Sequence, residues 1–447
     1  MSESPHHLQK HNKPAWRVHP VEAVLRLFTD IRAGEGLTVL WLTLNVFLLL
    51  TSYYLLKVAR EPLILLGGGA EVKSYAAAGQ SLLLIGVSAA YGWLSQRVGR
   101  MRLIALVSFF FASNLVLFCV LGRLGVPLGI PFYLWVGVFS LTVITQFWSF
   151  AADIYTPEQG KRLFPIVGVG SSVGSVAGAR VAKSLLPIGP YALMLGAAAL
   201  LLLCLVVTWR VNKRELAKAR LAATSEQTLG NDNGFAMLFR DRYLLAVAAL
   251  ALVLNWVNTT GEYALDRTLV AEAPSKAAAL GISSSQYIGD FKANYFAWVN
   301  ALGVLFQLFA VSRILKHVGV RRALFLMPVV SLGGYGSAAL VPVLSVLFVA
   351  KVAENTLDYS LQTTSRQALW LITSRDAKYK VKQIIDTFVV RAGDVLSAAV
   401  VWVGTSLALS TQHFLFWNVG LIFVWFGVLM VLGREHQRRS EAVDAEV

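Results

Sequence analysis

The 447-residue chain is 56% hydrophobic and only 15% charged, with a mean hydropathy of +0.61. That composition excludes an ordinary soluble globular protein and points to a polytopic membrane protein. Its net charge of +15 is a topology signal, not a nucleic-acid footprint, because most Lys and Arg residues fall in tails and alternate loops on one side of the apolar segments.

In chain order, the first 36 residues are polar, contain Glu3, Glu22, Asp30 and Glu35, and lack the short apolar core of a signal peptide. They read as a cytoplasmic tail, residues 1–36, in which His6, His7 and His11 are too irregularly spaced for a metal site. Twelve apolar runs follow, at about 37–57, 76–95, 103–122, 131–152, 164–186, 190–210, 243–263, 292–313, 322–341, 343–372, 383–408 and 413–433. Each is long enough to cross a hydrocarbon core of roughly 30 Å. The predicted fold class is an all-α polytopic membrane protein: a six-helix bundle over 37–210, a polar cytoplasmic linker over 211–242, a second six-helix bundle over 243–433 and a cytoplasmic tail over 434–447. Cys119 and Cys204 lie within predicted helices without metal-ligand spacing and read as buried thiols.

The first long apolar segment, Leu37 to Leu65, carries Tyr53, Lys57, Arg60 and Glu61 at spacings that share one helix face. Each charge costs roughly 2.5–3.5 kcal/mol near a helix centre on insertion scales. Two readings stand. One is a binding surface for an anionic solute; the other is an interfacial cluster whose basic groups reach the headgroups with Glu61 as counter-ion.

The loop after the second run, Leu94-Ser-Gln-Arg-Val-Gly-Arg-Met-Arg102, matches the loop after the eighth, Ile314-Leu-Lys-His-Val-Gly-Val-Arg-Arg322, at an offset of 220 residues. Gly99 thereby aligns with Gly319 and Arg102 with Arg322, so the two bundles form parallel pseudo-repeats, a layout suited to alternating access around a central site. With Gly92, Arg97, Gly99 and Arg100, the first loop resembles the major-facilitator signature G-x-x-x-D-R-x-G-R-R/K, with Gln96 at the usual Asp.

The fifth run places Gly170, Gly174 and Gly178 four residues apart, a pattern for close helix packing, and also carries Arg180. The seventh ends in Glu262, Asp266 and Arg267, near a membrane face where rim solvation competes with a functional role. The tenth has Lys351, Glu354, Asn355, Asp358, Gln362, Ser365 and Arg366 in one polar stripe, which must face protein or water. Lys351–Glu354 reads either as an internal ion pair or as part of a pathway lined from Asp358 to Arg366. The eleventh adds Asp386, Arg391 and Asp394.

Three segments resemble the ATP:ADP antiporters, the nucleotide transporters of plastids and obligate intracellular bacteria. Tyr53-Tyr-Leu-Leu-Lys-Val-Ala-Arg-Glu61 is similar to that family's Y-x-I-L-R-x-x-K-D run. Phe147-Trp148 and Phe150-Ala151, with Lys161-Arg162, Pro165, Gly168 and Gly170, resemble its F-W-x-F-A…K-R-x-x-P-x-x-G-x-G element. Glu354 to Leu361, Ile385-Asp386, Arg391 and Gly393-Asp394 resemble a bacterial branch. Asp394 and Asp266 stand where family exchangers carry positive charge, which supports the fold and transporter class more than it supports ATP.

The resemblance implies a secondary transporter exchanging nucleotides or related phosphorylated anions. Lys57, Arg60, Arg391 and Arg180 would neutralise phosphate, Tyr53, Tyr54 or Trp148 would stack on a base, and Asp358, Asp386 and Asp394 would balance the empty site. Alternatives are a proton-coupled transporter of another solute, with Asp386 or Asp394 titrating, and a non-transporting scaffold or sensor. No nucleophile–base pair or P-loop is visible, so no enzymatic activity and no cofactor is expected. Expected partners are a small anionic substrate and the bilayer, without nucleic acid; the expected location is a bacterial inner membrane.

Overall fold

Long apolar stretches poor in proline fold here as helices, and the computed structural model describes residues 35–155, 157–216, 234–370, 372–374, 377 and 381–445. The tail histidines and most of the polar linker lie outside these residues. The amino-terminal half contains α1 (Gly36–Arg97), α2 (Arg100–Arg123), α3 (Gly129–Ile154), α4 (Pro157–Leu185) and α5 (Pro190–Leu216). A short α6 (Gly234–Arg240) leads to α7 (Arg242–Leu280). Helix α8 (Ser284–Phe306) continues through a π-turn at Gln307–Val311 into Ser312–Val318, and α9 comprises Val320–Ala323 and Leu326–Leu340. Helix α10 (Leu344–Leu357) continues through a π-turn at Asp358–Gln362 to Thr363–Leu369. Helix α11 runs from Lys382–Ile384 through a π-turn at Ile385–Val389 to Val390–Ser406, and α12 is Thr411–Ala445.

Among the described residues, nine helices are long and apolar enough to cross a membrane. The first is of double length. Helices α10 and α11, which ionisable residues line, fall outside the nine. Counting the two arms of α1 separately and adding α10 and α11 is consistent with the expected twelve.

The sequence reading ends the first span at 57 and begins the second at 76. The structure instead carries helix to both sides of Gly69, the last of three consecutive glycines, whose φ of 76° and ψ of −179° suit glycine alone. On an unbroken helix Glu61 and Lys73 would be about 18 Å apart along the axis, yet the Lys73 ammonium lies 2.6 Å from the Glu61 carboxylate. The chain therefore turns back at Gly69.

Polar bonds give the bundle its two ends. Arg100 with Asp153 and Asn212, Arg162 with Glu35, Arg439 with Asp241 and Arg321 with Gln437 mark a basic end, each pairing within one half. At the opposite end the halves bond to each other, through Lys73 with Asp266, Glu71 with Tyr263, Lys183 with Asn294 and Tyr75 with Thr405.

Packing of α1 against α4 is backbone on backbone. A Cβ at Gly170 or Gly174 would sit 2.4 Å from the carbonyl oxygen of Thr43 or Phe47, and one at Gly178 would sit 2.8 Å from that of Thr51. These glycines serve packing, as their spacing suggests. Asn45 donates to Thr208 and Ser52 to the Ala197 carbonyl, fixing α1 to α5.

Candidate functional site

Glu61, one residue before Pro62 and two turns before the Gly69 reversal, projects into a buried cluster built from four helical arms. Its Oε1 accepts from Arg60 at 2.9 Å and its Oε2 from Lys73 at 2.6 Å. Lys73 also reaches Asp266 at 2.6 Å and Glu262 at 3.1 Å. Lys292 of α8, fully buried, pairs with Asp266 and lies 3.7 Å from Glu61 and 3.6 Å from Glu262. Three carboxylates thus face Arg60, Lys73 and Lys292, and the cluster is formally neutral. The carboxylate oxygens come within 4.8 Å of one another, a spacing open to a cation; the two ammonium groups already take that role.

This corrects the expectation of rim solvation for the end of the seventh span. Helix α7 continues to Leu280, and Asp266 is 1% exposed. Asp241 caps the start of α7 by accepting from the Tyr243 and Leu244 amides, and Gly281 ends it in the left-handed conformation. Ser283 then caps α8 by accepting from the Gln286 amide. That short, capped connection sets Asp266 and Lys292 face to face.

One turn from Arg60, Lys57 is half-buried and stands over Phe296 at 4.2 Å, Tyr54 at 5.2 Å and Tyr53 at 5.9 Å from the ring centroids. Among the described residues it has no carboxylate within 4.0 Å. Ring faces partly replace water around the ammonium, but its charge remains available to an anion. Tyr54 donates to Asn300 at 3.0 Å, bringing α8 against the cage. Arg60 stacks over Tyr133 at 4.3 Å.

The α10 stripe divides. At its upper part, Lys351 donates to Glu354 at 2.6 Å and to the Asn258 side chain, while the Tyr335 hydroxyl donates to Glu354. Lys351 and Glu354 are fully buried, and their contact is the internal ion pair. Lower down, Asp358 has Arg366 at 3.8 Å, a longer and weaker contact.

Of the α11 residues, Asp394 is tied down. It accepts from Ser81 and Asn255 at 2.8 Å each and from Thr259 at 3.0 Å, with Arg391 at 3.5 Å. Asp386 is exposed. Arg180 is also exposed and stands on a groove with Glu272, Lys276 and Trp298, apart from the cluster around Glu61. Trp148 meets Phe147 and Phe164 edge-on.

The loop residues sit at the basic end: Gly92 and Arg97 close α1, where Arg97 stacks on Trp93 at 4.1 Å. Gly99 precedes α2, Arg100 bonds to Asn212 at 2.7 Å, and Arg162 bonds to Glu35, with Lys161 beside it in α4. Gly319, at φ 81°, precedes the turn of helix containing Arg322.

Sequence reasoning missed Lys73 and Lys292. Lys73 fell in what periodicity marked as a loop, and Lys292 stood at the very start of a span. The sole local signal was the Gly67-Gly-Gly69 run, which marks a turn with helix on each side.

No family model matches the chain. The chain is 20% identical to ADP,ATP carrier protein 1 of Chlamydia pneumoniae in an alignment that covers 57% of this chain and 56% of that protein. It is 20% identical to ADP,ATP carrier protein 4 of Rickettsia bellii in an alignment that covers 65% of this chain and 64% of that protein. The chain thus spans less than two thirds of the length of these relatives. In architecture it is similar to the nucleoside transporter NupG, with a TM-score of 0.63 and 12% identity over 88% of this chain and 98% of that one. The POT family transporter PepTSo superposes with a TM-score of 0.63 and 12% identity over 90% and 98% of the two chains. A bacterial homologue of the human lysosomal transporter Spinster gives 0.60 and 14% over 92% and 99%. The described residues thus form a helical membrane fold with the architecture of these solved transporters, and the chain is similar in sequence to ADP,ATP carrier proteins.

Proposed function

We propose that the protein is a secondary transporter that exchanges phosphorylated anions, nucleotides among them, by alternating access. The observation that carries this reading is Lys57: a cation within a membrane-length helix, half-open, caged by aromatic rings and without a carboxylate partner among the described residues. A phosphate supplies the missing negative charge, and Tyr53 offers a ring for a base. Arg60, held by Glu61, is the second cation; a substrate that draws it away leaves Glu61 to Lys73 and Lys292, so the network tolerates the exchange.

The cluster around Glu61 joins the halves at one end and acts as the gate there. Opening that end separates Lys73 from Asp266, and substrate binding energy offsets the loss, which favours obligate exchange over net flux. The basic end is cytoplasmic in this reading, and the membrane is a bacterial inner membrane.

The test is uptake of labelled ATP and ADP, with unlabelled competitors, into proteoliposomes preloaded with ADP or left empty. Uptake that requires internal nucleotide, and that is lost in Lys57→Ala, supports the reading. Absence of uptake by demonstrably folded protein refutes nucleotides as the substrate.

A further inference from the structure

The membrane carboxylates differ sharply in how well their charge is satisfied. Glu61, Asp266, Glu354 and Asp394 each hold a partner at 2.8 Å or closer. Asp358 does not. It is 8% exposed, its Oδ1 has no hydrogen bond, and the Arg366 guanidinium stands 3.8 Å away. A buried carboxylate with one long ion pair is poorly stabilised as an anion.

Its surroundings suit a neutral acid. Asp358 opens the π-turn at Asp358–Gln362, a feature frequent at functional sites. One and two turns along the same face, Gln362 has both side-chain amide atoms unpaired and Ser365 its hydroxyl, although both residues are fully enclosed. These unpaired polar atoms lie along the helix between Asp358 and Arg366, which is about a quarter exposed. The charged groups acting on Asp358 are Arg366, Glu354 and Lys351 of its own helix. Helix α8, packed against the π-turn, presents Gly303, Phe306, Gln307 and Val311, none of them ionisable. From α1, Lys57 faces the neighbouring Tyr359.

We propose that Asp358 is a proton-binding carboxyl whose protonation releases Arg366 to take the anionic substrate. A proton from solvent bonds to a carboxylate oxygen of Asp358, the ion pair with Arg366 ends, and the freed guanidinium pairs with the substrate's phosphate. Proton and anion then bind together, and each strengthens the other's binding equally. The proposal rests on the transport reading for its substrate, but the proton site stands on Asp358 itself. Asp394, by contrast, is enclosed by four donors, Ser81, Asn255, Thr259 and Arg391, and Asp386 is exposed.

Two measurements test it. In proteoliposomes, the apparent affinity for labelled ATP should fall as pH rises, by up to about tenfold per unit above the carboxyl's titration. Asp358→Asn should lose that slope and hold the wild type's low-pH value throughout, and Asp358→Glu should restore a slope. A wild type without the slope, or an Asn variant that keeps it, overturns the coupling. Without any nucleotide, infrared difference spectra recorded across a pH titration should show a protonated-carboxyl band that Asp358→Asn removes. Absence of that band, or its persistence in the variant, overturns the proton site even if ATP proves not to be transported.

Discussion

Lys73 contacts all three carboxylates of the gate, and replacing it tests the gate quantitatively. In Lys73→Met the methylene stem is kept while Glu61, Asp266 and Glu262 lose an ammonium at 2.6, 2.6 and 3.1 Å. Arg60 and Lys292 remain, so three carboxylates face two cations and one buried negative charge is uncompensated. Removing one partner of a buried pair costs about 3–5 kcal/mol. That loss falls on the conformation in which the halves touch here, since in the open one these groups meet water. A shift of about 3 kcal/mol changes the ratio of the two conformations roughly 150-fold. The assay is maleimide labelling of a cysteine at Tyr75 or Thr405, which face each other across the halves at 3.4 Å; Cys119 and Cys204 are buried. Labelling should accelerate strongly in Lys73→Met and slow again when Asp266→Asn is added, because the charge count is then balanced. Unchanged labelling together with an unchanged unfolding temperature would refute the role of this cluster as a gate.

Lys57→Ala should abolish nucleotide exchange with little fall in unfolding temperature, because the ring contacts it forfeits are worth about 0.5–2 kcal/mol; uptake at the wild-type rate argues against its role. Gly174→Leu should destabilise by at least about 1–3 kcal/mol, read as a lower unfolding temperature in detergent, because its side chain would meet the Phe47 carbonyl. Asp394→Ala should cost about 1–3 kcal/mol through the donors left on Ser81, Asn255 and Thr259, again measured as thermal stability. Arg180→Ala, on the exposed groove, should leave exchange at the wild-type rate; a loss would return Arg180 to the substrate path.

The helical framework was legible because bilayer-length apolar runs carry the fold, and the GxxxG-like spacing of α4 identified a backbone contact directly. Lys57, Arg60 and Glu61 were legible as intramembrane charges on one face. What the sequence hid was partnership. Glu61 meets Lys73 only because Gly69 reverses the chain, and meets Lys292 only because α7 outruns its expected end, so hydropathy windows that trim charged residues from span ends removed these partners. Arg180 and Arg391 looked equivalent as cations for a phosphate, and the structure places Arg180 on an exposed groove apart from the cluster. The π-turn at Asp358 shifts the register of α10 in a way that no spacing rule anticipates.

The turn at Gly69 also bears on how such a charged bundle enters a bilayer during synthesis. Glu61 and Lys73 belong to consecutive arms of α1, and Asp266 and Lys292 to the consecutive helices α7 and α8. Each hairpin leaving the insertion machinery therefore carries an acid and a base within reach of each other, with one cation in excess in the first (Arg60 and Lys73 against Glu61) and one carboxylate in excess in the second (Glu262 and Asp266 against Lys292). When the two hairpins meet, Lys73 bonds to Asp266 and Lys292 approaches Glu61. The halves dock by matching those opposite excesses, so the cluster reaches formal neutrality only when they meet.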